Sequence, residues 1–164
     1  LNAIRCLGAC TEPIEEKETE AEFRLWSDVS NWPNERLPQE GDDVHIESGW
    51  NMILDIEETP IFKLIRINGV LIFSDESDIH LKAKHIFVRA GELHIGNEII
   101  ILANAHITLY GEKEAETIVY DNAIEAGNKV LANVGTVKMF GKQRTTKMTR
   151  LTQEAAKGDT EIYV

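Results

Sequence analysis

The hydrophobic pattern of this chain consists of short alternating segments arranged around glycines. On both sides of Gly69, Gly91 and Gly135 an apolar residue recurs at every second position, and Gly111, which follows HITLY, gives a less complete fourth instance. Period-two alternation is typical of β-strands that bury one face, and a glycine at a fixed point marks a corner or a bulge. The pattern therefore predicts strands through most of the chain after Asp43.

These four glycines are separated by 22, 20 and 24 residues. A repeat of that length, built only from strands and turns, favours a β-solenoid whose stacked coils share one core. The predicted fold is all-β, a short parallel β-helix or β-solenoid-like domain with at most one short helix. A β-sandwich of hairpins is the alternative, because periodicity does not distinguish parallel from antiparallel strands.

Two kinds of segment depart from simple alternation. The acidic amino-terminal stretch and DNAIEAGNK are the helix candidates, the second with Asp121 as its cap and Gly127 at its end. The strands VLIF at 70–73 and IIIL at 99–102 are apolar on both faces. We expect their second face to be covered by a loop, by the amino-terminal Trp segment or by a neighbouring domain.

Composition limits the partner classes. The chain has 164 residues, 43% of them hydrophobic and 27% charged, with a net charge of −11. These values are typical of one globular domain, and the acid excess opposes binding to nucleic acids and to anionic membranes. No apolar run approaches the roughly 18 residues of a membrane span, so none is predicted in this fragment.

The amino-terminal region is expected to be a connection rather than a core. The chain opens with Leu1 and has no charged-then-apolar leader, so we expect a segment of a longer protein. Cys6 and Cys10 leave three interpretations open: a local disulfide, a bond to a partner upstream, or two thiols in a linker. Residues 11–22 are acidic and poorly apolar, which indicates a solvated arm.

The histidines are candidate ligands for a metal. His45, His80, His94 and His106 each stand between apolar residues, so alternation points their rings away from the core. His85 and His106 are 21 residues apart, about one coil, which predicts rings on neighbouring rungs. No third ligand accompanies the pair in the sequence, and no zinc motif is present.

Asp42 and Asp43 follow Gly41 in a predicted loop. Paired carboxylates suit Ca²⁺, which prefers oxygen ligands. The favoured interpretation is that they accept backbone N–H groups and fix the turn before Val44, because Ca²⁺ takes about six or more oxygens.

The tryptophans are candidate ligand contacts. Trp26 and Trp32 are predicted to be buried packing anchors, whereas Trp50, in the turn-like SGWN, is predicted to be exposed and available for stacking on a ligand. Neither a nucleophile motif nor a defined carboxylate pair is evident, so no catalytic residue is assigned.

The string LWSD, continuing through NWPNERLPQEGDDVHI to INGVLIF, VRAGELHIG and VLANVGTVKMFGK, resembles the eight-glycine (G8) domain. The resemblance covers roughly residues 24–152, and its most specific parts are the Trp-Ser-Asp opening and the Gly-Asp-Asp-Val element. The glycines matched to the family are Gly41, Gly49, Gly69, Gly91, Gly96, Gly111, Gly135 and Gly141.

The resemblance implies a division of the chain. Residues 1–22 would be a linker or the end of a preceding domain, residues 23–150 the G8 domain, and residues 151–164 the start of a following β-helix region. Within the last part, Gly158 and Asp159 would form a turn and residues 161–164 a first strand. The family occurs in fibrocystin-like proteins and in hyaluronan-degrading cell-surface proteins, which implies an extracellular or cell-surface setting and transfers no catalytic residue.

The function expected from these observations is a non-catalytic extracellular module for binding or assembly in a larger, membrane-anchored or secreted protein. Its expected partners are the adjacent β-helix domain of the same chain and an extracellular glycan or protein ligand. No cofactor is expected apart from Ca²⁺ at Asp42 and Asp43. The alternatives are an accessory domain of a hyaluronidase-like enzyme and a structural component of a filament or coat.

Overall fold

A computed structural model of the chain describes residues 22–96, 105–115, 117–120, 124–141 and 148–163. The helical turns in these residues are two 3₁₀ turns, Val29–Asn31 and Pro33–Glu35. The strands are β1 (Phe23–Leu25), β2 (Asp43–Ile46), β3 (Asn51–Leu54), β4 (Phe62–Ile67), β5 (Val70–Phe73), β6 (Ile79–Val88), β7 (Glu92–Ile95), β8 (Ala105–Leu109), β9 (Val119–Tyr120), β10 (Ile124–Glu125), β11 (Val130–Asn133) and β12 (Thr136–Met139).

The strands form two parallel sheets between which the chain alternates. The first sheet has the order β1-β3-β5-β7-β12, and the second the order β11-β6-β4-β2, with β8 also beside β6. Each passage from β2 to β3, β4 to β5 and β6 to β7 is therefore one rung of a coil. Within the described residues, the antiparallel pairing is confined to the hairpin β9–β10. The all-β parallel solenoid is confirmed, and the sandwich of hairpins is excluded.

Apolar residues in successive rungs stack directly on one another. Ile46 is in register with Ile67, and Ile67 with Val88, and all three side chains are fully buried. In the other sheet Met52 is in register with Leu71 in the same way. Parallel strands in register place the inward positions of successive rungs about 4.8 Å apart, so one continuous apolar core runs along the coil.

The segment after β1 crosses one end of this core to reach β2. Trp26 and Trp32 are 1% and 6% exposed, with ring centroids 4.7 Å apart in an edge-to-face arrangement. Trp32 Nε1 donates to the backbone oxygen of Trp26 at 2.8 Å, and the Trp26 ring lies 5.7 Å from Phe62. These rings close the first end of the solenoid where the backbone is irregular.

A column of glycines lies at the corner between the two sheets. A Cβ atom on Gly91 would overlap the backbone oxygen of Gly69, and one on Gly135 would overlap that of Gly91. These oxygens accept hydrogen bonds from the N–H groups of Glu92 at 2.9 Å and Thr136 at 3.0 Å. The corner therefore requires glycine because adjacent rungs approach too closely for any side chain.

Gly111 is not part of this column, so the prediction of a rung centred on it is wrong. Gly91 and Gly135 belong to adjacent rungs although they are 44 positions apart, because the chain between them includes an insertion. Leu109 is in register with Ala83, and Val130 is in register with His85. Lys84 alone separates Ala83 from His85, so residues 110–129 are an insertion opposite that one position. Glycine spacing alone cannot separate a rung from a rung that carries an insertion.

The insertion packs on the outside of the second sheet. Leu64 and Phe87 are 8% and 0% exposed although they lie on the outer face, because Ile118, Ala126, Val130 and Ala132 cover them. Asn128 Nδ2 closes the base of the insertion by donating to the backbone oxygens of Glu112 at 2.8 Å and Lys113 at 3.1 Å.

The helix predicted over DNAIEAGNK is also wrong. Ile124 and Glu125 form β10, which pairs with β9. The neighbouring Ala126 packs against the buried pair Leu64 and Phe87, so contacts with the sheet override the local helix signal.

The predicted doubly apolar strands have different outcomes. In β5, Leu71 and Phe73 enter the core while Val70 and Ile72 are half-buried on the outer face. The IIIL segment lies outside the described residues. Strand segments buried on both faces are Leu64–Ile65 in β4 and Ile86–Val88 at the end of β6, and the insertion packs against both.

The carboxyl-terminal residues 148–163 contain no strand in the described part of the chain. A turn forms at Gly158, where the N–H of Ala156 donates to Asp159 Oδ2 at 2.7 Å. Residues 161–163 do not form the predicted strand, and Ile162 and Tyr163 are 65% and 54% exposed. A strand needs a partner along its length, whereas residues 161–163 are joined to Thr152 by one backbone hydrogen bond, which the Tyr163 oxygen accepts from the Thr152 N–H at 3.0 Å. No helix among the described residues is long and apolar enough to cross a bilayer.

Candidate functional site

A groove of about 410 Å³ lies at the capped end of the solenoid, between the 3₁₀ turns and the first rung. It brings together the predicted residues Asp42, Asp43, Trp32 and Trp50. The other groups that line it are Pro33, Asn34, Arg36, Pro38, Val44, His45 and Glu47. Residues that the sequence suggested separately, for a turn, for packing and for stacking, therefore share one surface.

Asp42 is fixed in a turn. Its Oδ2 accepts hydrogen bonds from the N–H of Gln39 at 2.9 Å and from Arg36 Nη2 at 2.8 Å. The backbone hydrogen bond from Gln39 and the guanidinium of Arg36 hold the pKa of this carboxyl below its ordinary value. Asp42 is therefore ionised at neutral pH, and its orientation is determined before any ligand arrives.

Asp43 begins β2 and forms an ion pair with Lys63 at 3.3 Å. The Lys63 N–H also donates to the backbone oxygen of Asp42 at 3.0 Å, so the second rung supports the turn of the first. Both carboxylates thus have protein partners. No three His, Cys, Asp or Glu side chains converge as a metal site in the part of the chain that the structure describes. Calcium binding at Asp42 and Asp43 stays a prediction.

Trp50 connects the groove to the core. Its side chain is half-buried, its ring lies 6.4 Å from that of Trp32, and the Arg24 guanidinium stands over it at 4.8 Å from the ring centroid. The register pairs Asn51 with Val70, so Trp50 takes the position of Gly69 in the first rung. Trp50 thus precedes Gly69, the first glycine of the column. A large side chain is accommodated at its position.

The rim of the groove has an unusual backbone. Asn34 and Glu35 have φ of 63° and 47°, in the left-handed region that residues other than glycine rarely occupy. Asparagine adopts this conformation more readily than other residues, and strained backbone concentrates at binding sites. Asn34 and Arg36 were not among the residues predicted for the site, although the dipeptide Pro33-Asn34 is a recognisable turn signal.

The histidines pair differently from the prediction. His106 is in register with His80, not with His85, and the two rings lie 5.9 Å apart. His85 pairs with Leu64 on one side and Val130 on the other. The insertion follows β8, and pairing with β6 resumes only at Val130. Burial, and then the charge of Lys84, lower the pKa of His85. His94 contacts Glu92 at 2.6 Å, and Glu92 also accepts from Lys138 at 2.9 Å.

The remaining predicted residues are placed as follows. Gly41, Gly49 and Gly96 have positive φ, Gly111 lies against Lys129 at the base of the insertion, and Gly141 is in open space. Cys6 and Cys10 lie outside the described residues, so their pairing stays a prediction.

Comparison with known proteins identifies the family. The model of the G8 domain matches residues 31–152. The chain is 35% identical over 155 residues to fibrocystin of Canis lupus familiaris, covering 89% of this chain and 4% of that protein. It is 35% identical over 138 residues to fibrocystin-L of Homo sapiens, covering 82% and 3%. A G8 domain-containing protein of Dictyostelium discoideum is 28% identical over 145 residues, covering 85% and 10%.

The chain spans only a few per cent of the length of the fibrocystins that it matches. No solved structure matches it. The residues matched by the family model include those of the groove, and this chain belongs to the G8 domain family.

Proposed function

We propose that this G8 domain is a non-catalytic extracellular module of a larger protein, and that it binds an uncharged glycan in the groove at its capped end. The family to which the chain belongs supports the extracellular setting. The observation that carries the proposal is that two tryptophans and a fixed carboxylate–guanidinium pair line one open groove.

The chemistry of the groove fits a sugar. Binding sites combine aromatic walls with a few oriented polar groups, and the C–H face of a sugar ring packs on an aromatic ring. Trp50 provides the aromatic wall, while Asp42 and Arg36 present an acceptor and donors for hydroxyl groups. These polar groups are already hydrogen-bonded in place, so binding costs little further ordering.

Charge favours an uncharged ligand. Asp42, Asp43 and Glu47 line the groove. Arg36 and Lys63 pair with the first two of these carboxylates, Arg24 lies over the Trp50 ring, and the whole chain carries a net charge of −11. This field repels polyanionic polysaccharides, and the repulsion strengthens as salt is lowered.

A panel of neutral and anionic oligosaccharides, titrated into ¹⁵N-labelled chain with and without Ca²⁺, tests the proposal. Neutral sugars should shift the amide signals of Asp42 and Trp50, and W50A should weaken the binding at least about tenfold. The matched control is F23A, which removes an exposed aromatic ring outside the groove. W50F, which keeps an aromatic wall, should retain binding, and the unfolding midpoint of W50A separates a lost contact from a lost fold.

Three results would overturn the proposal. They are no binding across the panel, equal weakening by F23A and W50A, and turnover of a glycan by the domain. A response that appears only with Ca²⁺ and is lost in D42N and D43N would instead establish the calcium site predicted from the sequence.

The last rung supports the proposal that the domain is one module of a larger protein. Val134 and Met139, beside and within β12, are 60% and 55% exposed, an unusual exposure for large apolar side chains. An adjacent β-helix domain of the same protein would cover them. In a longer chain that includes this domain, the amides of residues 134–139 should exchange more slowly than in the 164-residue chain; equal exchange would count against this contact.

A further inference from the structure

We propose that His80 and His106 form a binding site for a first-row transition-metal ion on the outer face of the second sheet. The two residues are Cα partners on the adjacent parallel strands β6 and β8, so their side chains leave the sheet side by side. The site lies outside the groove described above and does not depend on glycan binding.

The separation of the rings suits one shared ion. Their centroids are 5.9 Å apart, with an angle of 64° between the ring planes. A metal held about 2 Å from one nitrogen of each imidazole places the ring centres about 5–6 Å apart. Small rotations of the two side chains therefore suffice, without movement of the strands.

A hydroxyl group fixes the direction of one ligand. His80 Nε2 lies 2.7 Å from Thr108 Oγ1, which belongs to the same strand as His106. The hydrogen bond engages Nε2 and orients the ring, so Nδ1 is the nitrogen of His80 that would bind the ion. A neighbour that orients a histidine ring is typical of metal sites and raises their affinity.

The surrounding charge favours a cation. Glu58 is in register with His80 on the preceding rung, and its carboxylate pairs with Lys82 at 2.5 Å, which balances the positive charge nearest to the histidines. The net charge of −11 adds a general attraction.

The ligand set defines the class of ion. Imidazole nitrogens suit Cu²⁺, Ni²⁺ and Zn²⁺, whereas Ca²⁺ and Mg²⁺ require oxygen ligands. Two protein ligands leave the other coordination positions to water, so we expect an open, exchangeable site with affinity in the order Cu²⁺ above Zn²⁺ and Ni²⁺.

The experiment titrates Zn²⁺ and Cu²⁺ into the full chain after its thiols have been alkylated, which removes Cys6 and Cys10 as competing ligands. Calorimetry should show one ion bound, and substoichiometric Cu²⁺ should broaden the amide signals of β6 and β8 first. H80N and H106N should each weaken binding at least about tenfold, since loss of a ligand costs no less than loss of the group that orients it. H45N, at an exposed histidine of the same sheet, should leave the affinity unchanged.

Unfolding midpoints without metal separate a lost ligand from a lost fold. Variants with wild-type midpoints and weakened binding support the proposal. Unchanged affinity in both H80N and H106N, broadening centred on another part of the chain, or an equal loss in H45N would overturn it.

Discussion

The backbone oxygen of Gly69 occupies the position in which a Cβ atom on Gly91 would stand. The same oxygen accepts the Glu92 N–H at 2.9 Å, so it is held in place by the hydrogen bond that joins the two rungs. Gly91 and Gly135 repeat this relationship one rung further along. Glycine therefore recurs in the sequence because the backbones of adjacent rungs approach each other closely at this corner.

A methyl group at this corner should destabilise the domain. We expect G91A to lower the free energy of unfolding by about 3 kcal/mol, because the oxygen of Gly69 must move and its hydrogen bond weakens. G141A is the matched control, since nothing lies within 4 Å of a Cβ atom there and its φ is not positive. Denaturant unfolding measures both. Equal stabilities for the two variants would contradict the close contact.

The end of the core depends on a hydrogen bond between two tryptophans. W32F removes the Nε1 group that donates to the Trp26 oxygen at 2.8 Å in a buried environment. We expect a loss of about 2 kcal/mol, because an acceptor is left without this donor. The same replacement at the half-buried Trp50 should cost clearly less. A W50F loss as large as that of W32F would show that ring size, and not the hydrogen bond, sets the stability.

The insertion should detach when its anchor is removed. Phe87 is fully buried beneath it, so F87A is expected to cost about 3–5 kcal/mol and to expose residues 110–129 to proteases. Trypsin cleavage after the exposed Lys113 should accelerate in F87A before the rest of the chain is cut. H45A, in the same column of the sheet, is the control. Cleavage at Lys113 that keeps its wild-type rate in F87A would argue against the anchoring role.

Asp42 should make the domain sensitive to acid. The N–H of Gln39, assisted by Arg36, lowers the pKa of its carboxyl from 3.8, so the unfolded chain binds this proton more readily than the folded one. Its contribution to stability is therefore complete above pH 3.8 and is lost as the pH falls through the lower pKa of the folded state.

Thermal unfolding of the wild type and D42N across this range measures the effect. The difference in unfolding free energy between the two should shrink as the pH falls below 3.8, because the protonated wild type resembles the variant. A difference that stays constant down to the lowest pH at which both fold would contradict the assignment.

Several features were accessible from the sequence because they depend on local repetition. Alternation of apolar residues around Gly69 and Gly91 predicted strands, coils and an all-β fold. The Gly41-Asp42-Asp43 element predicted a turn, which the bond from Gln39 to Asp42 forms. These inferences need only the chemistry of neighbouring residues.

Other features depended on which rungs become neighbours. The coil that leads to β8 is longer than the one before it, with 26 positions from His80 to His106 against 21 from Leu64 to His85, so His106 meets His80 instead of His85. Nothing in the spacing of 20 to 24 residues distinguishes a complete coil from one interrupted by a hairpin.

The residues of the groove could likewise be predicted only in part from the sequence. The sequence offered Asp42, Asp43 and Trp50 as separate candidates, but Arg36 acquires its role only because a left-handed turn at Asn34 brings it to Asp42.

The amino-acid sequence by itself determined the alternating strands of this chain and the glycines on which the corner depends, since alternation and the absence of a side chain are properties of single positions. The tertiary structure decided which rungs touch, what covers Phe87 and which polar groups meet in the groove. Those outcomes depend on register, and register results from the packing of the whole coil rather than from any one segment of it.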